Sequence, residues 1–357
     1  RGGSTGVASL SGEQVISAPV DAGGEDIVLA GDTISIDADL RSSDAVLSIR
    51  TIDPTRPITI GGSSGGSGEL FISSDQLGNL KDGFVGIVIG SEESGSTITL
   101  TGDDAIEFLD SLTLMTPGEG GEILVQQDVG VRGDFLIFGS GFTTTLSADV
   151  SVGGNYVVND SLVIDGDISV TAGTDPGAGN IQLGQFGSLH TLNGAATGTN
   201  TLTLEAQDGG DVVFNAEIGD AVPLDALTVT AATDVRFRND VVIDGDLIID
   251  ATGSVTFEGS VTLNNGGSLI INGAESVSFD PLNSAVVLNG TDLAGDAGDI
   301  LIEADNLFLP TQTSPIQGTG TVTLRPTDVG REITLGSPPA DVGARLSISL
   351  AEIQQFA

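Results

Sequence analysis

IRTIDPTRPITIG at residues 49–61 returns as LRPTDVGREITLG at residues 324–336. Arg50, Asp53, Arg56, Ile58, Thr59 and Gly61 match Arg325, Asp328, Arg331, Ile333, Thr334 and Gly336, each displaced by 325 − 50 = 275. Downstream, after a one-residue slip, LFISSDQL (70–77) returns as LSISLAEI (346–353), and Leu80 as Phe356. Upstream, EDIVLAGDTISI (25–36) faces GDILIEADNLFL (298–309) at a displacement of 298 − 25 = 273. Self-similarity of this kind marks a tandem duplication. Residues 24–80 and 297–356 are therefore read as equivalent parts of successive super-repeats, each of 325 − 50 = 275 residues. The first copy runs on into KDGFVGIVIG (81–90). A stretch resembling Lys81-Asp82-Gly83-Phe84 is accordingly expected after residue 357, the chain being read as a fragment of a longer array.

Outward from this echo, the chain is a succession of short β runs punctuated by Gly, Asp and Asn. TISID (33–37), STITL (96–100), DFLIF (134–138), NTLTLEA (200–206) and DLIID (246–250) alternate apolar with polar residues or form brief apolar runs bounded by turn residues; this is the strand signature. A Gly-acid-apolar entry recurs at Gly121-Glu122-Ile123, Gly133-Asp134-Phe135, Gly166-Asp167-Ile168, Gly210-Asp211-Val212, Gly245-Asp246-Leu247 and Gly298-Asp299-Ile300. There glycine suits the corner and the acid can accept a turn hydrogen bond before the strand resumes. Helical candidates are few: ISSDQLGNL (72–80), its copy ISLAEIQQF (348–356), and DDAIEFLDSL (103–112), the first two with Ser ahead of an acid-bearing apolar stretch.

Propeller blades would repeat every 40–50 residues or so with aromatic signatures, and none is evident in a chain with no Trp and one Tyr. Sandwich domains would show linkers. The pattern that unites sharp corners, apolar inward positions and uneven loops is an all-β parallel β-helix, or β-solenoid, with roughly 20–25 residues per rung. Residues 1–357 are read as one continuous segment of it, a single elongated rod.

The charge narrows the partners. Fifty Asp and Glu against eleven Lys and Arg leave a net charge of −39, which repels nucleic acid and anionic lipid. With no cysteine, stability must come from packing and backbone pairing. No apolar run of about 18 residues suggests a membrane-spanning helix.

The Gly179-Asn180-Ile181-Gln182-Leu183 strand, the Gly-Asp-Ile/Leu entries and the Arg-Pro-Ile-Thr-Ile-Gly segment at 56–61 resemble the β-strand repeats of giant bacterial surface exoproteins. These form the filamentous-haemagglutinin-like, parallel β-helix class. The resemblance covers most of residues 14–356. It implies an extracellular, cell-surface location and a shaft that extends from the cell, with roles in adhesion, cell contact or a surface coat.

The duplicated Arg50, Asp53, Arg56, Arg325, Asp328 and Arg331 admit two readings. Paired guanidinium groups can grip a carboxylate or sulfated glycan, or the arginines can staple a loop to acids on adjacent rungs. The staple is preferred, because an acidic chain offers many carboxylates to its few cations. Asp292, Asp296 and Asp299, or Asp103 with Asp104, are clustered oxygen donors that suit Ca²⁺, although no calcium-repeat or EF-hand spacing occurs. No other cofactor is expected and no metal site is assigned. Asp103-Asp104 and Asp134 are the acids one would nominate for glycoside cleavage, but carboxylate pairs arise everywhere in such a chain. The lone His190 has no nucleophile context. GGSSGGSGE (61–69) lacks the Lys-Ser/Thr of a phosphate loop.

The expectation is a non-enzymatic structural segment of a secreted filament, stalk or coat, with partners through self-association or continuation along a fibre. An adhesin or lectin-like module that takes surface glycans at loops 61–69, 116–121 or 172–179 is the alternative. A polysaccharide-cleaving β-helix enzyme is the third.

Overall fold

Alternation in the sequence becomes alternation in burial. In Thr97–Leu100 the side chains of Ile98 and Leu100 point inward and are buried, while the threonines between them stay partly exposed. The same pattern fills Glu122–Val125, Ser161–Ile164 and Leu247–Asp250. The computed structural model describes residues 7–8, 12–118, 120–139, 143–175, 177–279, 285–289, 297–309, 316–317, 320–328, 330–336 and 345–354. Among the described residues about half are strand, helix is confined to two single turns, and every strand pairing given is parallel. The fold is a parallel β-solenoid.

Contacts divide the chain into two units, Arg1–Val163 with Val170–Gly179, and Ile164–Ser169 with Asn180–Ala357. In both, a strand pairs with the third strand after it, so each coil contributes three strands. Within the first unit Ile106–Phe108 pairs with Val129–Val131, Leu112–Met115 with Phe135–Phe138, and Glu122–Val125 with Thr143–Leu146. Within the second, Ala226–Ala231 pairs with Leu247–Asp250, Val235–Phe237 with Ser254–Phe257, and Val241–Ile243 with Val261–Leu263.

Because the strands stack in register, like side chains stack on like. One interior column of the first unit runs Ile27, Leu47, Ile87, Leu112, Phe135, Tyr156. A column of the second runs Leu183, Phe214, Phe237, Phe257, Phe279. Its rings lie parallel within 4–7°, with centroids 4.5, 4.8 and 4.9 Å apart. That spacing is the strand spacing of about 4.8 Å, so the backbone ladder itself sets the ring stack.

Four of the entry acids, Asp134, Asp211, Asp246 and Asp299, act between rungs rather than within a turn. Asp134 Oδ1 accepts the Asn155 backbone N–H at 2.7 Å. Asp211 accepts that of Asp234 (3.1 Å), Asp246 that of Ser268 (2.8 Å), and Asp299 that of Thr321 (2.6 Å). Donor and acceptor are 21 to 23 residues apart. Each carboxylate thus satisfies the amide that would otherwise be orphaned as the next rung enters its strand.

Two of the three helical candidates form a single turn, Ser74–Leu77 and Leu350–Ile353, each with a complete capping box. Ser73 and Gln76 make the first, Ser349 and Glu352 the second. The third candidate, 103–112, is not helical. It holds the strand Ile106–Phe108, with Ile106 and Phe108 inside and Glu107 outside. A helix would need Leu109 on the buried face as well, and Leu109 is 40% exposed.

Candidate functional site

The six repeated residues lie at two strand ends, Arg50 and Arg325, and on the similar loops that follow them. In the first unit the strand Val46–Arg50 ends, and the chain turns so that the Arg56 N–H donates to the Asp53 carbonyl at 3.1 Å. Asp53 Oδ1 accepts the Thr55 N–H (3.0 Å) and hydroxyl (2.8 Å). These two bonds, with a smaller contribution from the Arg56 charge, hold its carboxyl below the usual carboxylate range. Arg56 Nε then lies 3.4 Å from Asp32 Oδ1, within ion-pair reach but not aligned as a hydrogen bond. Arg50 is exposed, stands opposite Ala30, and makes no ion pair among the described residues.

In the second unit Asp328 Oδ1 accepts the Gly330 N–H at 2.8 Å, and its carbonyl accepts the Arg331 N–H at 2.9 Å. Arg331 reaches Asp305 twice, at 3.2 Å to its carboxylate and 3.1 Å to its carbonyl. The Thr327 hydroxyl also donates to that carboxylate, at 2.6 Å. Arg325 stands opposite Glu303 and grips it through Nε and Nη2, at 2.7 and 2.6 Å. Asp32 and Asp305 are equivalent, since 305 − 32 = 273 is the displacement of the upstream echo. Reading the residues singled out the arginines and missed their partners. The signal was present, an Asp in the eighth place of both EDIVLAGDTISI and GDILIEADNLFL. The guanidinium groups of Arg56, Arg325 and Arg331 are thus met by the chain's own carboxylates.

A cleft of ≈ 480 Å³ opens along the second unit. Successive coils line it with the buried Ala206, Ala232 and Ala251 and with Asp208, Asp250 and Glu303. Small side chains at matching corners leave the groove, and it is of ligand size. Four of its polar side chains are already engaged by the chain itself. Asn272 Nδ2 donates to Asp250 Oδ1 at 2.7 Å, the Thr252 hydroxyl to the Ala232 carbonyl at 3.4 Å, and Glu303 holds Arg325. The arrangement suits a slim polyhydroxyl or cationic group, which hydroxyls, amides and carboxylates can receive. No signal in the chain marks this place, because its parts come from different rungs, Ala206, Ala232 and Ala251 lying 232 − 206 = 26 and 251 − 232 = 19 residues apart.

The loops nominated from sequence are tied down by neighbours. In 61–69, Glu69 receives the Thr59 hydroxyl at 2.8 Å and the Gly66 N–H, which folds the glycines back on themselves. In 116–121, the Gly118 N–H donates to the Ser94 carbonyl at 2.6 Å and the Thr116 hydroxyl to that of Ser96 at 2.7 Å. In 172–179, the Gly173 N–H donates to the Gly154 carbonyl at 3.2 Å.

Among the described residues, no group of three or more His, Asp or Glu is placed to hold a metal ion. Asp103 and Asp104 are exposed, Asp299 receives the Thr321 amide, and Asp292 and Asp296 lie outside the described residues. Asp134 bridges to Asn155. His190 is buried at 7% exposure, and desolvation lowers its pKa. Nearby in register, Glu217 donates its N–H to the His190 carbonyl at 2.9 Å. Burial, with Asp220 and Asp240 close by, raises the Glu217 carboxyl. Among the described residues, no helix is long and apolar enough to cross a membrane.

No protein-family profile matches the chain, and neither the curated proteins nor the solved structures contain a match to it.

Proposed function

We propose that this chain is a structural stretch of a secreted filament, stalk or surface coat, of the bacterial filamentous-haemagglutinin-like kind, that extends from the cell and supports adhesion or cell contact. The observation that carries the reading is the duplicated loop, in which two separate units repeat the same turn and the same arginine–aspartate staple. A segment selected for load needs rungs that are internally satisfied, and here the corner acids receive the amides of the following rung. Function would then come from length and repetition rather than from a reacting centre. Export to the cell exterior belongs to the same proposal. The test is mechanical and cellular. Pulled between its ends in a force microscope, the chain should resist and then yield in steps of one or a few rungs. Antibody raised against it should label intact source cells. A chain that yields at negligible force, or label found only after lysis, would sink the reading.

The cleft lined by Ala206, Ala232 and Ala251 favours the adhesin or lectin-like alternative as the second reading. A glycan array probed with and without calcium distinguishes it, since a blank array in both conditions counts against it.

A further inference from the structure

The two copies of the repeated segment use the same strands in the same register. In the first unit Ile58 and Ile60 pair with Leu70 and Ile72, and in the second Ile333 and Leu335 pair with Leu346 and Ile348. Both are followed by a glycine whose N–H donates 2.8 Å to the isoleucine carbonyl, Gly61 to Ile72 and Gly336 to Ile348.

They differ in what lies on the other side. In the first unit Ile58–Ile60 is also paired with Thr97–Leu100, and Val46–Arg50 with Gly86–Gly90. In the second, among the described residues, Glu332–Leu335 pairs with Arg345–Ile348 alone and Val322–Arg325 with Ile300–Phe308 alone. The side chains record the difference. Leu47, Ile58 and Ile60 are 0% exposed, whereas Val322, Ile333 and Leu335 at the matching places are 40%, 49% and 64% exposed. The glycines record it too. A Cβ on Gly61 would run into the Thr101 carbonyl, but one on Gly336 would meet nothing within 4 Å.

We propose that the face formed by Val322–Arg325 and Glu332–Leu335 is a strand-accepting surface. Its partner is a further rung of the same repeat, with the chemistry of Gly86–Gly90 and Thr97–Leu100. The first unit shows what such a rung supplies. Ile87 and Ile89 meet Leu47 and Ile49, Ile98 and Leu100 meet Ile58 and Ile60, and the strands run parallel. The second unit offers the same row of edge amides and carbonyls, with aliphatic side chains at the same alternate places. Main-chain pairing gives such a face its affinity, and the side-chain alternation gives its register. Association of this chain with itself is the poorer match. Two chains that each carry −39 repel one another. The inference stands apart from any stalk or adhesive role, since it concerns only what the bare edge pairs with.

The test uses the full chain and a labelled peptide of residues 81–101. The expected result is saturable binding, with slowed hydrogen exchange at residues 332–335. Ile333→Asp with Leu335→Asp should weaken binding by about tenfold or more, because two carboxylates would enter an apolar contact. Ile333→Thr with Leu335→Thr, which keeps strand preference, should weaken it while circular dichroism stays unchanged. A peptide carrying Ile98→Asp and Leu100→Asp should not bind. A wild-type peptide that fails to bind, or binds both variants as well as the parent, overturns the proposal. So does self-association of the chain that needs Ile333 and Leu335 and that the peptide cannot compete away.

Discussion

The loop at 50–61 and the loop at 325–336 share a turn, an Asp-anchored corner and an arginine staple, yet one strand beyond them is entombed and the other bare. Ile58 is 0% exposed and Ile333 is 49%. The comparison separates two kinds of information. Register is written locally, in the turn, the staple and the capping box, and it survives in both copies. Burial is supplied by the neighbouring rung, as nearest-neighbour coupling in a solenoid requires. A strand can therefore be correctly placed before it is strongly stabilised.

Substituting the matched isoleucines tests this most severely. Ile58→Ala should destabilise the first unit by about 2–4 kcal/mol, the range for emptying a packed aliphatic site. Ile333→Ala should change the second by less than about 0.5 kcal/mol, as exposed positions do. Denaturant melts read by hydrogen exchange at the two strands would measure both, and equal losses would break the comparison. The caps should behave alike where the isoleucines do not. Ser73→Ala and Ser349→Ala each remove the acceptor for a helical N–H and should cost about 1 kcal/mol apiece. A large difference between them, read in the same melts, would mean that capping too depends on the covering rung.

The staples should rank by burial. The Arg331–Asp305 side chains are 18% and 21% exposed, those of Arg56–Asp32 27% and 34%. Both pairs belong near the 0–1 kcal/mol or so of partly solvated ion pairs. Arg331→Ala should be the more costly, since it also gives up the bond to the Asp305 carbonyl. Added salt should narrow the gap.

The smallest effect is a pH dependence confined to the first unit. Asp110 is 7% exposed and accepts the Gly83 N–H at 3.0 Å. Desolvation is the main cause that raises its carboxyl above the ordinary 3.8, helped by the charge of Asp82. A raised carboxyl binds its proton more tightly folded than unfolded, so ionising it works against the fold. Its contribution should improve as pH falls from neutral through the folded pKa, and be complete below 3.8. Asp110→Asn should flatten that slope in stability–pH curves of residues 83–110. Asp53 has the opposite sign. Its lowered carboxyl supports the fold at neutral pH, and that support is lost as pH falls from the ordinary 3.8 through the lower folded pKa.

Much of this architecture was legible because a solenoid repeats one short rule. Alternating aliphatics mark inward positions, and Gly-Asp pairs mark corners. The serine ahead of residues 74–77 and 350–353 announced both helical turns. Residues 103–112 misled because acids ahead of Ile106, Leu109 and Leu112 imitate a helix start. The period of two from Ile106 to Phe108 prevails once a parallel strand at Val129–Val131 supplies its partner. The roles of the corner acids needed the rung length, since Asp246 and Ser268 have no relation until the chain is coiled. The cleft was hidden for the same reason, as alanines at 206, 232 and 251 carry no pattern in one dimension.

Tyr156 has an optical consequence. The chain has no Trp and one Tyr, and that ring is fully buried beside Phe135, its hydroxyl without a hydrogen-bond partner among the described residues. Desolvation alone pushes its ionisation upward. The first unit thus contains the chain's single tyrosine chromophore, shielded from quenchers and from base until its interior opens. Acrylamide quenching and the alkaline tyrosinate band become a clock for that opening. The second unit, with its column of phenylalanines, stays dark in both channels.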